Sequence, residues 1–208
     1  MTTPAPHAIH TVEQLREIIG EPLPAVQLKV WATLEPPARE FIERSPFVVL
    51  ATADANGHQD VSPKGDHAGF VVVEDEHTLL VPDRKGNKLL FGLQNILANP
   101  QVGVLFMVPG TNETLRVNGR ATLTSEPDVC VRLSARGQPA LLAIRVTVEE
   151  CFFHCAKAFI RSALWKPEAW PAATRISFGK MLAPRLGGDE QLAHAIDAAV
   201  DEDYRTNL

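Results

Sequence analysis

The chain has 208 residues, of which 45% are hydrophobic, with a formal net charge of −5 and three cysteines. That length supports one substantial core with terminal additions and leaves little room for two full domains. The acidic balance argues against a sequence-independent nucleic-acid binder, the few cysteines against a disulfide framework, and apolar runs far below the roughly 20 residues of a spanning helix against membrane insertion.

The first ten residues, with Pro4, Pro6, His7 and His10, carry no periodic pattern and read as a loose arm. Thr11-Val12-Glu13-Gln14 matches a capping box, where the threonine hydroxyl and the glutamine side chain satisfy free amides, and Gly20 is suited to end the helix predicted over Val12–Ile19. Pro22 and Pro24 break the chain. Leu28, Trp31 and Leu34, then Ala38, Phe41 and Ile42, recur at helical spacing around Pro36-Pro37, which predicts a second helix before residue 47.

From Phe47 the chain turns to short runs of Val, Leu, Ile and Phe punctuated by Asp, Asn, Gly and Pro, the pattern of consecutive antiparallel strands. Strands are predicted over Phe47–Ala53 and His58–Lys64 around the turn Asp54-Ala55-Asn56-Gly57, and over Gly69–Glu74 and Thr78–Val81 around Asp75-Glu76. Asn87–Ala98 places Leu89, Leu90, Leu93, Ile96 and Leu97 on one helical face and closes at Asn99-Pro100. Strands resume over Val102–Val108, Thr114–Thr124 and Ala140–Phe153, with helices predicted over Pro127–Ser134, Ala156–Ala163 and Asp189–Asp203. Six or seven short strands with one inserted helix point to a closed or partly closed barrel, an α+β protein that is mainly β, rather than a doubly wound sheet. No G-x-G-x-x-G follows a strand, so the usual dinucleotide fingerprint is missing.

Four constellations could carry chemistry. Pro82-Asp83-Arg84-Lys85-Gly86-Asn87 sits where a strand ends and a helix is predicted, so cations and free helix amides converge as an anion requires; a solvated turn explains it equally simply. Ser62-Pro63-Lys64-Gly65-Asp66 ends the preceding strand, where Ser62 and Lys64 either join the same anion or protect an edge. Thr114, Arg116, Asn118 and Arg120 share one strand face, which suits solvent or a wall of donors. Cys151, His154 and Cys155 lack a second ligand pair at zinc-like spacing, so no metal site is expected, and Trp165 stacks on a ligand or fills the core.

Read together, Phe47 to about Trp170 resembles the pyridoxamine 5'-phosphate oxidase-like family of flavin-binding split barrels. The motifs run in order S-P-K-G-D, a G-F hairpin, P-D-R-x-G-N, a helix ending in N-P, V-G-x-L-F and E-T-L-R-V-N-G-R-A. The later F-F-H-C-A-K and R-S-x-L-W-x-P-E-x-W segments resemble a bacterial subgroup. The resemblance implies a split β-barrel with N- and C-terminal helices, organised as residues 1–46 packed on the barrel, 47–170 as the barrel and 171–208 as a C-terminal extension. It also implies a homodimer with flavin mononucleotide (FMN) at the subunit interface, expected to act as an oxidoreductase on a small molecule or electron donor. The three cysteines and the lack of an early apolar run behind a basic segment suit a cytoplasmic protein, and the charge and short apolar runs one with no nucleic-acid or membrane partner. A non-catalytic flavin module and a deazaflavin-dependent reductase are the alternatives. By position, Arg84 and Lys85 correspond to the family's phosphate turn, with Asn87 in the same motif, Ser62 and Lys64 to the strand that runs alongside the flavin, and Pro82 to a neighbour of the ring. Thr114 and Arg116 correspond to residues beside the flavin, and Arg161 and Trp165 to C-terminal residues that approach it across the dimer. Asp83 stands where the oxidases carry serine, and is expected to turn away, capping the helix through Asn87 or orienting Arg84.

Overall fold

A computed structural model describes residues 7–207, so the arm at residues 1–10 lies largely outside the described residues. Seven strands form one antiparallel sheet: β1 (Phe47–Ala53), β2 (Gln59–Gly65), β3 (Val72–Asp75), β4 (Thr78–Asp83), β5 (Gln101–Met107), β6 (Thr114–Thr124) and β7 (Leu142–His154), in the order β2-β1-β5-β6-β7-β4-β3. Alternation sets which face each strand buries. Val48 and Leu50, Val104 and Phe106, Leu115 and Val117, Ile144 and Val146, and Leu79 and Val81 fill one continuous core, so the sheet curls around its own inner face. β4 is buried on both sides because α5 (Pro127–Arg132) covers its outer face, where Leu80 meets Val129, Cys130 and Leu133. That double cover explains why Thr78–Val81 reads as an unbroken apolar run. The longest pairing, β6 with β7, shifts register between Asn118 and Gly119. A Cβ at Gly119 would lie 2.0 Å from the Thr147 carbonyl oxygen, so the backbones approach too closely for a side chain there.

The helix α1 (Val12–Ile19) forms with its capping box as predicted, but buries no residue. Three helices precede β1 rather than two: α1, the single turn α2 (Pro24–Gln27) and α3 (Pro36–Arg44). The helical spacing of Leu28, Trp31 and Leu34 misleads, because Trp31 pairs with Cys151 by two backbone hydrogen bonds of 2.9 and 2.8 Å and Leu34 N–H donates to Glu76 O. Extended backbone before Pro36 is also what a following proline favours. Only α3 of this N-terminal region drives a helical face into the barrel, through Ala38, Phe41 and Ile42. After β7 come α6 (Lys157–Ser162), α7 (Phe178–Leu182) and α8 (Glu190–Thr206); α7 was not anticipated, its five residues being too short for a periodic signal. Among the described residues no helix is long and apolar enough to cross a membrane.

Candidate functional site

The edge strands of the sheet are β2 and β3; because β3 pairs with β4 only as far as Leu80, the end of β4 lacks a strand partner on that side, and the start of α4 (Phe91–Ala98) lines the space between it and β2. β2 is an edge strand, which is why Pro63, lacking an N–H, is tolerated in it. Its alternation exposes Val61 and Pro63 and turns Asp60, Ser62 and Lys64 inward. The result is a cavity of about 610 Å³, within the range usual for small-molecule sites, whose floor reaches Leu50 and Phe70 of the core. Ser62, Lys64, Pro82, Arg84, Lys85 and Asn87, separated in sequence, all line it.

Its charges are arranged in pairs. Lys64 Nζ lies 2.8 Å from Asp83 Oδ1, both side chains being mostly buried. Arg84 donates from Nε to Asp66 Oδ2 at 3.0 Å, and Arg136 reaches the other oxygen of Asp66 at 3.4 Å. Burial pushes the Asp66 carboxyl up, but the His67 N–H and the Arg136 and Arg84 charges outweigh it and hold it below its ordinary value. Arg84 Nη1 is buried without a hydrogen-bond partner, a costly arrangement unless a ligand supplies an acceptor. Lys85 and Lys88 line the same wall and form no ion pair among the described residues. An orphaned guanidinium nitrogen flanked by uncommitted ammonium groups suits a phosphate.

Two expectations need correction. Asp83 neither caps a helix nor orients Arg84: it holds Lys64, and Asp66 orients Arg84. The helix also begins later than predicted, at Phe91 rather than Asn87. Lys88 and Leu90 take left-handed conformations (φ 62° and 61°), and Asn87 Oδ1 accepts from Leu89 N–H, which keeps the chain in a loop until α4 starts. The first turn of α4 still borders the cavity through Phe91 and Gly92.

The remaining candidates lie elsewhere in the chain. Thr114 is buried opposite His154 on the outer sheet face. Arg116 lies over the Phe152 ring, 4.1 Å from its centroid, and pairs with Glu150, while its Nε is buried without a partner. Arg161 is exposed on α6. Trp165 donates to Thr111 O at 2.8 Å and stacks on Phe159 beside a smaller cavity of about 350 Å³. Cys151 is pushed up to about 11, first by burial and then by Glu35 and Glu150, whereas Cys155 is exposed and lowered first by the Lys157 N–H. Sequence reasoning missed Asp60, Lys88 and Arg136. The alternation of β2 marks Asp60; no local signal marks Arg136, which reaches the site only through tertiary contact.

The family model described as pyridoxamine 5'-phosphate oxidase matches residues 34–155. Comparison with curated proteins gives no match. Similar solved structures include HupZ from Group A Streptococcus, at 18% identity over 57% of this chain and 92% of that one with a TM-score of 0.47. A putative pyridoxamine 5'-phosphate oxidase from Lactobacillus delbrueckii is similar at 25% identity over 59% and 95%, TM-score 0.45. An FMN-binding protein from Syntrophomonas wolfei is similar at 11% identity over 69% and 97%, TM-score 0.43. With more than half of its length matched by the family model, and a seven-stranded antiparallel sheet flanked by helices, the chain belongs to the pyridoxamine 5'-phosphate oxidase family and has its split-barrel fold.

Proposed function

We propose that the cavity between β2, β4 and α4 binds FMN and that the protein is a flavin-dependent oxidoreductase acting on a small molecule. The observation that carries this reading is the buried, partnerless Nη1 of Arg84 in a cavity wall that also presents Lys85 and Lys88. Arg84, pre-oriented by Asp66, takes the phosphate, with Lys85 and Lys88 adding charge. Lys64 contributes less net charge because Asp83 offsets it at 2.8 Å. Leu50, Phe70 and Pro82 give the inner part an apolar wall that limits water around the ring. When bound, the flavin supplies the electron-transfer chemistry, and the chain positions it and controls access.

The same reading makes the protein a homodimer. The outer face of β1 and β5 presents Val49, Ala51, Leu105 and Met107 side by side, next to the Arg116–Glu150 pair, while Val61, Leu89, Leu90, Phe91 and Leu141 are exposed around the cavity. A second copy seated on this face would cover apolar surface and bring Thr114, Arg116, Arg161 or Trp165 towards a neighbouring cofactor. The test is the absorption spectrum of the purified protein, before and after incubation with FMN, followed by turnover of reduced nicotinamide with an acceptor. A flavin spectrum that persists through gel filtration is expected. A protein that stays colourless removes the flavin reading, and flavin binding without turnover above the rate of free flavin leaves a non-catalytic module.

A further inference from the structure

We infer that Asp60 receives the hydrogen-bond-donating edge of the ligand's ring, with Ser62 as the donor beside it, so that the site selects a planar imide over rings lacking an N–H. The inference rests on the reading of the cavity as a flavin site. Asp60, Ser62 and Lys64 are successive inward positions of β2, about 7 Å apart, so Asp60 lies roughly 13 Å along the strand from Lys64. Lys64, paired with Asp83 next to Arg84, therefore stands at one end of the β2 wall and the Asp60 carboxylate at the other.

The carboxylates of the region differ in what occupies them. Asp83 is taken by Lys64, and Asp66 by Arg84, Arg136 and the His67 N–H. Asp60 lines the cavity half-buried, and its carboxylate makes no ion pair or hydrogen bond among the described residues. A Cβ placed on Gly92 would lie 3.4 Å from Asp60 Oδ2, 3.6 Å from Thr52 Oγ1 and 3.9 Å from Ser62 Oγ. The side-chain-free start of α4 thus adjoins a polar group made of one obligate acceptor, Asp60, and two hydroxyls, Ser62 and Thr52, of which Thr52 accepts from Asn95. An imide presents the complement, an N–H flanked by carbonyls, and the flavin tricycle carries that edge on a terminal ring, removed from the central ring that bears the phosphate chain. A ring offering only carbonyls would meet the carboxylate with like polarity. The competing role for Asp60 is electrostatic support of α4, whose Leu90 N-cap provides no side-chain hydrogen bond.

The experiment is a fluorescence titration of the full-length apoprotein and its Asp60→Ala and Asp60→Asn variants with FMN and with N3-methyl-FMN, alongside thermal unfolding of each apoprotein. The wild type should bind FMN about 10- to 100-fold more tightly than the methylated analogue, as expected for a hydrogen bond to a charged group. In Asp60→Ala that preference should shrink to within about threefold while the apoprotein's Tm is unchanged, and Asp60→Asn should fall between. Equal binding of the two flavins by the wild type, or an undiminished preference in Asp60→Ala, overturns the role of Asp60 and leaves the flavin site standing. A lowered apoprotein Tm with preference retained assigns Asp60 to α4 instead. Failure of the wild type to bind either flavin overturns the site and the inference together.

Discussion

Among the described residues two arginines bury a guanidinium nitrogen without a hydrogen-bond partner, Arg84 on the cavity wall and Arg116 on the outer face of β6. Around Arg84 the surface is concave, Asp66 fixes the head group from behind, and Lys85 and Lys88 stand uncommitted nearby. Around Arg116 the sheet face is open, the guanidinium is stacked on Phe152, and Glu150 neutralises it while also accepting from Asn118. An unpaired donor therefore carries functional meaning only where shape and neighbouring charge agree with it. Arg84 keeps a free donor on a concave wall, which is what the proposed phosphate role needs, whereas Arg116 is engaged by Phe152 and Glu150.

The sharpest way to break this contrast is to remove each arginine in turn. Arg84→Ala should weaken FMN binding by about 3 kcal/mol, on the order of 100-fold, and also lower the apoprotein Tm, because the nearly buried Asp66 then keeps only Arg136 as a cationic partner; isothermal titration of the folded variant at a temperature well below its Tm reads the binding loss separately. A loss under threefold would place the phosphate elsewhere.

Asp66→Ala should destabilise the fold by about 2 kcal/mol, less than the ~3–5 kcal/mol of a fully buried pair because Arg84 and Arg136 stay partly in water, and should weaken FMN binding through the misplaced Arg84. The folded-state pKa of Asp66 is depressed, so its contribution is fully present above the ordinary carboxylate range near pH 4 and is lost as pH falls below it through the lowered value. Asp66→Asn should accordingly flatten that part of the acid-unfolding curve followed by circular dichroism.

Asp83→Asn should act in the opposite direction. Freed of its partner, Lys64 contributes its full charge to the phosphate end, and FMN affinity should rise by about 1 kcal/mol, a few-fold, with the gain shrinking at high salt. Weaker binding would mean that Asp83 positions Lys64 for contact rather than competing for it.

The smallest effect is expected from Arg116→Ala, about 0.5–1 kcal/mol of stability from the lost ring and carboxylate contacts, with FMN affinity reduced less than tenfold. A larger loss of affinity than in Arg84→Ala would reverse the comparison and make the outer face the principal flavin contact. Sedimentation of Leu105→Asp tests the same face as the dimer surface: a charge there should shift a dimer towards monomer.

Much of this arrangement was legible in the chain because its signals are local. Turn-bounded apolar runs gave the bounds of Phe47–Ala53 and Thr114–Thr124 that the structure reproduces, the capping box at Thr11–Gln14 marked α1, and the basic turn at Arg84-Lys85 was visible as a cluster. Local signals also misled: the spacing of Leu28, Trp31 and Leu34 imitates a helix, although the Trp31 backbone is bonded to β7, and the start of α4 was placed too early because Asn87 to Leu90 has helical composition but an Asx turn and left-handed residues.

Sequence by itself determined the succession of strands along the chain, the polar face of β6 and the presence of cations at the end of β4, since each depends on residues a few positions apart. Tertiary structure alone decided which charges are spent and which are free. Lys64 and Asp83, or Asp66 with Arg84 and Arg136, become partners only when the curled sheet brings distant strands and a loop together. Whether a cation serves the fold or a ligand depends on that closure, because an interaction across a few ångströms of partly buried space outweighs any preference encoded along the chain.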